Sequence, residues 1–243
     1  MPISPRHSPT KLPRSNQLSI MSNIADNISA IRLKLPERVR LVAVSKYHPV
    51  EVIREAYDAG QRIFGENKVQ ELVAKAPQLP SDIQWHMIGH LQTNKVRLLM
   101  PHVSMIQSID SIKLLRTVEK EAARIDRTVD VLLQLHVARE ETKSGFAVGE
   151  LLAALAVNEL DNCPHVRFRG LMAMATNTDD QQQVEKEFQL VADTFRLVKE
   201  EFFAHDDAFD QISMGMSDDW PLAVKHGATL VRVGSAIFGP RQY

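Results

Sequence analysis

The sequence predicts a (β/α)8 TIM barrel, and three observations carry that expectation. Eight short β-type runs alternate with amphipathic helical segments from residue 41 onward. The length of 243 residues fits the roughly 250 typical of the fold. A lysine, Lys46, closes the first run, at the carboxyl end where such barrels keep their sites. An open doubly wound sheet is the alternative, but it usually carries fewer strands in a chain of this length, and no G-x-G-x-x-G follows the first run.

Residues 1–20, with Pro2, Pro5 and Pro13 among serines and basic side chains, lack periodicity and any apolar core, and are expected to form a disordered tail. Met21 opens the first helical segment, so translation starting there is a second expectation that the intact mass of the native protein decides. Residues 21–243 then form one barrel domain. Ile24, Ile28, Ile31 and Leu35 share one helical face that Pro36 terminates. The β-type runs follow as LVAVSK from 41, RIFGEN from 62, WHMIGHL from 85, MIQSID from 105, DVLLQLHV from 130, VRFRGLMAM from 166, QISMGM from 211 and TLVRVGSAIFG from 229. Between them the clearest helices are 111–126, with Leu114, Leu115, Val118, Ala122 and Ile125, and 180–204, with Val184, Phe188, Val191, Phe195, Val198 and Phe202. Seven helical segments separate eight strands, so the initial helix is expected to fill the eighth place in the outer ring.

Composition excludes several classes of function. Lysine and arginine number 29 against 30 acids, leaving a net charge of −1 and no general field for nucleic acid or an anionic membrane. One cysteine, Cys163, forbids an internal disulfide framework and fits a reducing compartment. No apolar run reaches the roughly 20 residues of a membrane span. A cytoplasmic protein is expected, with partners argued from its sites.

Lys46 ends an apolar run, where lost hydration disfavours the charged amine and makes it a candidate carbonyl nucleophile. Ser217, in the segment after strand seven before a helix expected to open at Asp218, and Gly234 with Ser235, after strand eight, offer what a phosphate needs. These are backbone amides, hydroxyls, glycine for close approach and, for Ser217, a helix N-terminus. Alternation along Thr229–Gly234 turns Arg232 to the face opposite Val231 and Val233, into the barrel, where a ligand nitrogen or a buried carboxylate must receive it. An amine, a phosphate cradle and an inward arginine together fit pyridoxal 5'-phosphate (PLP), with the arginine at the pyridine nitrogen. Arginine donates but does not readily release a proton, so the ring is expected to remain a weak electron sink.

The motifs AVSKYHP, FGENKVQE, WHMIGHLQTNK, KSGF, FRGLMAM, GMSDDW and VRVGSAIFG resemble those of the pyridoxal phosphate homeostasis proteins, single-domain relatives of the alanine racemase N-terminal barrel. The resemblance covers about residues 22 to 243. It implies a monomeric or loosely associated, alanine-racemase N-terminal-domain-like barrel that binds PLP through an imine to Lys46. It also implies phosphate ligands at Ser217, Gly234 and Ser235, Arg232 at the pyridine nitrogen, and Asn67 and Met172 lining the pocket. The implied role is cofactor storage and delivery, with PLP-dependent apo-enzymes as recipients and effects on amino-acid and keto-acid metabolism, without robust catalysis. Two departures bear on polarity around the imine: His136 stands where the family usually has asparagine, and Tyr47 where threonine is frequent.

A racemase shares cofactor and barrel but needs a second acid/base opposite the lysine. Tyr47, adjacent to the lysine, is not placed to supply it, so weak racemase-like activity is the secondary expectation. A Schiff-base aldolase also needs a desolvated lysine and a phosphate site, but on a later strand. His86 and His90 are four apart, yet lie on a strand ending at glycine and not on an HExxH helix, so no metal is expected. Lys143, in the segment EETKSGF after strand five, is a second lysine at the same barrel end and a candidate for passing cofactor on.

Overall fold

The computed structural model describes residues 24–140 and 142–239. The tail over 1–20, the start at Met21 and the end of the chain at Tyr243 lie outside those residues. A first helix, α1, covers 24–32, and Ile24, Ile28 and Ile31 are all buried along it. The strands are β1 (Arg40–Val44), β2 (Ile63–Glu66), β3 (Gln84–Met87), β4 (Met105–Ile109), β5 (Val129–Leu135), β6 (Val166–Ala173), β7 (Gln211–Ser213) and β8 (Leu230–Val233). The helices after them are α2 (Val50–Asp58), α3 (Val69–Lys75), α4 (Val96–Leu99), α5 (Ile112–Ala123), α6 (Val148–Ala156), α7 (Gln181–Phe202), α8 (Trp220–Lys225) and α9 (Ser235–Phe238). The strands form a closed barrel in sequence order, all parallel, sealed where Arg40, Leu41, Val42 and Ala43 pair with Leu230, Val231, Arg232 and Val233.

Because helices cover the outside of a parallel barrel and side chains fill its inside, both strand faces are buried and the strands read as continuous apolar runs. Alternate residues separate the two faces. Val42, Ile63, Met105, Leu132, Met172 and Leu230 form the inner cluster, whereas Leu41, Ala43, Phe64, Val131, Leu171 and Val231 belong to the larger core under the helices. Gly170, with φ of +143°, is required inside β6, because a Cβ there would stand 1.8 Å from the Gln211 carbonyl oxygen. The register with β5 shifts just before it.

The expected outer ring is present. Asn27 of α1 donates to the Ile237 carbonyl of α9 (3.0 Å), and Arg32 donates to Gly60 O (3.0 Å) and Gln61 Oε1 (2.8 Å) after α2. α1 thereby fills the gap between the last and first βα units. α5 is capped by Ser111, and α7 by Asp180, which accepts from the Gln182 and Gln183 amides. Phe202 departs from the expected apolar stripe: it is 38% exposed, on the last turn of α7. Several boundaries also differ, three of them near the cavity. β3 stops at Met87, α8 opens at Trp220 with Pro221 in its first turn, and the run read as the end of strand eight breaks at Gly234 into the single turn α9. Among the described residues no helix is long and apolar enough to cross a membrane.

Candidate functional site

Chemistry-bearing side chains meet in a cavity of about 220 Å³ at the carboxyl ends of β1, β2, β7 and β8. Alternation puts them there. Val42 lies in the inner cluster, Val44 lines the cavity wall, and Lys46, two residues on, lines it as well. The same parity brings in Asn67 above Ile63 and Gly65, and Arg232 with Gly234 above Leu230.

The backbone around Lys46 is held from behind. Ser45 N–H still bonds Gly65 O (3.0 Å), one residue past the end of β1. The Ser45 hydroxyl donates to Glu66 Oε1 (2.7 Å), and the buried Lys75 ammonium donates to three acceptors: Glu66 Oε1 (2.8 Å), Glu71 Oε2 (2.9 Å) and Ser45 O (3.1 Å). Glu71 Oε2 also accepts from Tyr47 N–H (2.9 Å). The network therefore grips the residue on each side of Lys46, and it holds Tyr47 at φ +69°, a conformation a bulky residue rarely adopts. Burial pushes the Glu66 carboxyl above its ordinary range despite Lys75. Burial is also the largest single effect at Glu71, yet the Tyr47 amide and Lys75 together outweigh it and lower that carboxyl.

His48 lines the cavity beside Lys46, its ring 4.8 Å from that of Phe238. Burial, then the nearby Lys75 charge, lowers its pKa, so the imidazole is neutral at pH 7. Ile88 forms a wall, and Gly89 lets the chain pass Asn67 closely: a Cβ there would lie 2.4 Å from Asn67 O. Ser217 stands on the turn 217–219 and its Oγ accepts from Gly234 N–H (3.3 Å), which joins the two expected halves of the cradle. It is not next to a helix opening at Asp218 as expected; the cap of α8 is Asp219, whose Oδ1 accepts from Met216 N–H (2.6 Å). Ser235 is the first residue of α9, whose leading N–H groups have no acceptor within the helix.

Arg232 is 4% exposed. Its NH1 donates to Ser213 Oγ (2.7 Å) and its NH2 to Ala173 O (2.8 Å); among the described residues no carboxylate pairs with it. Both acceptors are neutral, so the cation is oriented without being discharged. Burial lowers its pKa to about 10, and Asp219 opposes that from a distance.

The structure thus brings together Lys46, Asn67, Ser217, Arg232, Gly234 and Ser235. Met172 differs. It is fully buried in the inner cluster one layer below, and Met174 lines the cavity in its place, because the side chain two residues nearer the strand end reaches the rim. His86 and His90 are separated: His86 Nδ1 meets Gln107 inside the barrel (2.8 Å), and His90 Nδ1 meets Asp110 Oδ2 at the rim (2.9 Å). Among the described residues no cluster of three or more His, Cys, Asp or Glu side chains is placed to hold a metal. His136 donates from Nε2 to Glu140 O (3.0 Å) within its own loop. Lys143 is tied down, to Glu140 Oε1 (2.9 Å) and Ala175 O (2.7 Å), so it straps the loop after β5 to the end of β6. His48, Ile88 and Met174 were not expected from sequence. The inward parity of Ile88 and Met174 on their strands was the available signal, whereas His48 lies on an irregular turn.

An amine on a fixed turn, a donor-only cation below it, and a rim of hydroxyls and glycine suit a ligand with an electrophilic carbon, an acceptor nitrogen and an anionic group. The family described as alanine racemase, N-terminal domain, matches residues 21–242. The pyridoxal phosphate homeostasis protein of Haemophilus influenzae is 37% identical over 234 residues, covering 91% of this chain and 97% of that protein. The chain belongs to the pyridoxal phosphate homeostasis protein family. The chain is also similar to PipY of Synechococcus elongatus PCC7942, which has been solved with PLP bound; it superposes with a TM-score of 0.81 at 37% identity, covering 89% of this chain and 100% of that one. Alanine racemase of Clostridium difficile 630 superposes with a TM-score of 0.71 at 13% identity over 57% of its length, a likeness of fold.

Proposed function

We propose that this chain binds PLP at the cavity, with the Lys46 amine as the point of attachment, and that it serves intracellular PLP homeostasis by storing and delivering the cofactor. The observation that carries this reading is the meeting of Lys46, Arg232, Ser217, Gly234 and Ser235 around one cavity. PLP brings an aldehyde that condenses with an amine, a pyridine nitrogen and a phosphate, and the donor set fits all three. Gly234 supports the fit by its size: a Cβ there would stand 3.2 Å from Val44 O, narrowing the cradle.

The residues bind and orient. Ser217 and Ser235 supply hydroxyls, and the start of α9 supplies amides to an anion. Arg232 would donate to the ring nitrogen, and Asn67, Ile88 and Met174, which line the cavity, would wall the ring. A donor-only arginine leaves the ring a weak electron sink, which supports holding over transformation. Recipients are PLP-dependent apo-enzymes in the cytoplasm, and the working form is a monomer. A second reading, weak racemase-like activity, rests on His48: a neutral imidazole in the same cavity is placed as an acid or base that the sequence did not suggest.

The test is the visible spectrum of the purified protein with PLP, before and after borohydride, beside Lys46→Ala, with peptide mass mapping. A band absent from the variant, and a pyridoxyl mass on Lys46, are expected. No band with added PLP overturns the binding reading. Incubating the loaded protein with single-enantiomer amino acids separates the two roles: unchanged chirality fits a carrier, and turnover lost in His48→Phe fits the second reading.

A further inference from the structure

Inside the barrel, directly beneath the cavity, four polar side chains cross an otherwise apolar floor. Arg232 of β8 donates to Ser213 of β7 (2.7 Å), the Ser213 hydroxyl donates to Gln107 Oε1 of β4 (2.6 Å), and the Gln107 amide donates to His86 Nδ1 of β3 (2.8 Å). All four are at most 4% exposed, in the interior that also holds Val42, Ile63, Met105, Leu132, Met172 and Leu230. Apolar side chains of similar volume often fill such space at no loss of stability, so packing does not by itself explain a polar chain there.

We propose that Ser213, Gln107 and His86 are positioning residues for Arg232, fixing its guanidinium as a donor toward the ring nitrogen of the bound cofactor and so keeping that nitrogen unprotonated; this rests on the PLP reading above. The chain has one direction. Arginine only donates, so Ser213 must accept from it and spends its single proton on Gln107. The Gln107 amide then faces His86 Nδ1, which must accept and so leaves the ring proton on Nε2; burial, then the charge of Arg40, lowers the His86 pKa to about 3, so the ring is neutral at any working pH. Turning the Gln107 amide would set N–H against O–H. The second bond, NH2 to Ala173 O, fixes the other arm of the fork. Every acceptor is neutral, so the positive charge remains unspent, and a ring nitrogen facing it stays bare: protonation would oppose N–H to N–H and cation to cation. A carboxylate anywhere in the chain would weaken that constraint.

The experiment uses the full chain loaded with PLP carrying 15N in the ring, comparing wild type with Gln107→Leu, Ser213→Ala and Gln107→Glu. Gln134→Leu serves as a buried glutamine control, since among the described residues its side-chain amide donates to Ser144 O and not to the chain beneath Arg232. Thermal unfolding of each unloaded protein reports lost packing separately. Wild type is expected to show an unprotonated ring nitrogen from pH 6 to 9. Gln107→Leu and Ser213→Ala should load with the dissociation constant raised roughly ten-fold, the scale of one bond to a charged group, and Gln107→Glu should move the 15N signal toward the protonated position. Wild-type affinity and signal in the first two variants, or equal changes in Gln134→Leu, overturn the proposal. If Gln107→Leu does not fold, the smaller change Ser213→Ala decides. Failure of wild type to load defeats the PLP reading itself and is seen before any variant is compared.

Discussion

Removing the Lys75 ammonium exposes how much of the site rests on one buried charge. Lys75→Met keeps the apolar stem and deletes the group that donates to Glu66, Glu71 and Ser45. Glu71, with its side chain 23% exposed, reaches water, but Glu66 is fully buried, its Oε2 already has no partner, and its Oε1 keeps only the Ser45 hydroxyl. Breaking one side of a buried pair costs about 3–5 kcal/mol, against a total stability of about 5–15 kcal/mol for a typical protein. The sign with pH follows from Glu66. Its folded-state pKa is already raised by burial, and losing Lys75 removes the largest opposing effect. The folded state then holds a proton that the unfolded chain releases, so stability falls as pH rises above the ordinary value of 4.5, by up to about 1.4 kcal/mol per pH unit. Urea unfolding of the unloaded protein at pH 5, 6, 7 and 8 measures this. The deficit of Lys75→Met should widen toward pH 8, and adding Glu66→Gln should recover most of it. That double variant should still load PLP poorly, because Ser45 O has lost its anchor and Glu71, the acceptor of Tyr47 N–H, has lost the ammonium that held it. A deficit below about 1 kcal/mol, or one equal at pH 5 and pH 8, would refute the reasoning.

Two further outcomes are expected. The His86 pKa falls from 6.5 to about 3 on folding, so wild-type stability drops as pH falls below 6.5, by about 1.4 kcal/mol per unit; His86→Gln should flatten that slope between pH 6 and pH 4, and parallel slopes would contradict it. In Gly89→Ala the new Cβ meets Asn67 O at 2.4 Å and Asn67 Cα at 2.8 Å, backbone atoms that no rotamer change moves aside. A loss of about 1–3 kcal/mol with weaker PLP loading is expected, and a variant melting and loading like wild type would show that Asn67 does not need its present path.

The barrel was legible because its signals are local: apolar runs of strand length, stripes such as Leu114, Leu115, Val118 and Ala122, and caps at Ser111 and Asp180. Lys46, Arg232 and Gly234 were legible from equally local signals: Lys46 closes an apolar run, period-two alternation turns Arg232 inward, and Gly234 permits close approach at a strand end. The neighbours of those residues were not. Glu66, Glu71 and Lys75 carry no local pattern that marks a network, and only closure of β2 and α3 behind β1 makes them a grip on the residues either side of Lys46. Ser213 and Gln107 lie 106 positions apart in sequence, a pairing that no local pattern carries. Met172 failed by one layer: parity gave its face correctly, but depth along the barrel axis depends on strand tilt and stagger, which single strands do not encode.

The two networks around the site differ in kind, and the difference bears on the proposed role. Behind Lys46 the grip is ionic, and it must hold Tyr47 in a strained turn, so strong charge-assisted bonds are placed where they fix backbone. Beneath Arg232 the acceptors are all neutral, so position is fixed while the charge remains available to a ligand. Exchanging the two arrangements would loosen the amine and discharge the arginine. An anion under Arg232 would let a ring nitrogen gain a proton and become an electron sink, the condition for carbanion chemistry. On the proposed reading, the arrangement present favours the opposite, a firmly placed attachment point with a ring kept electronically quiet, which is what holding a reactive cofactor without consuming it requires.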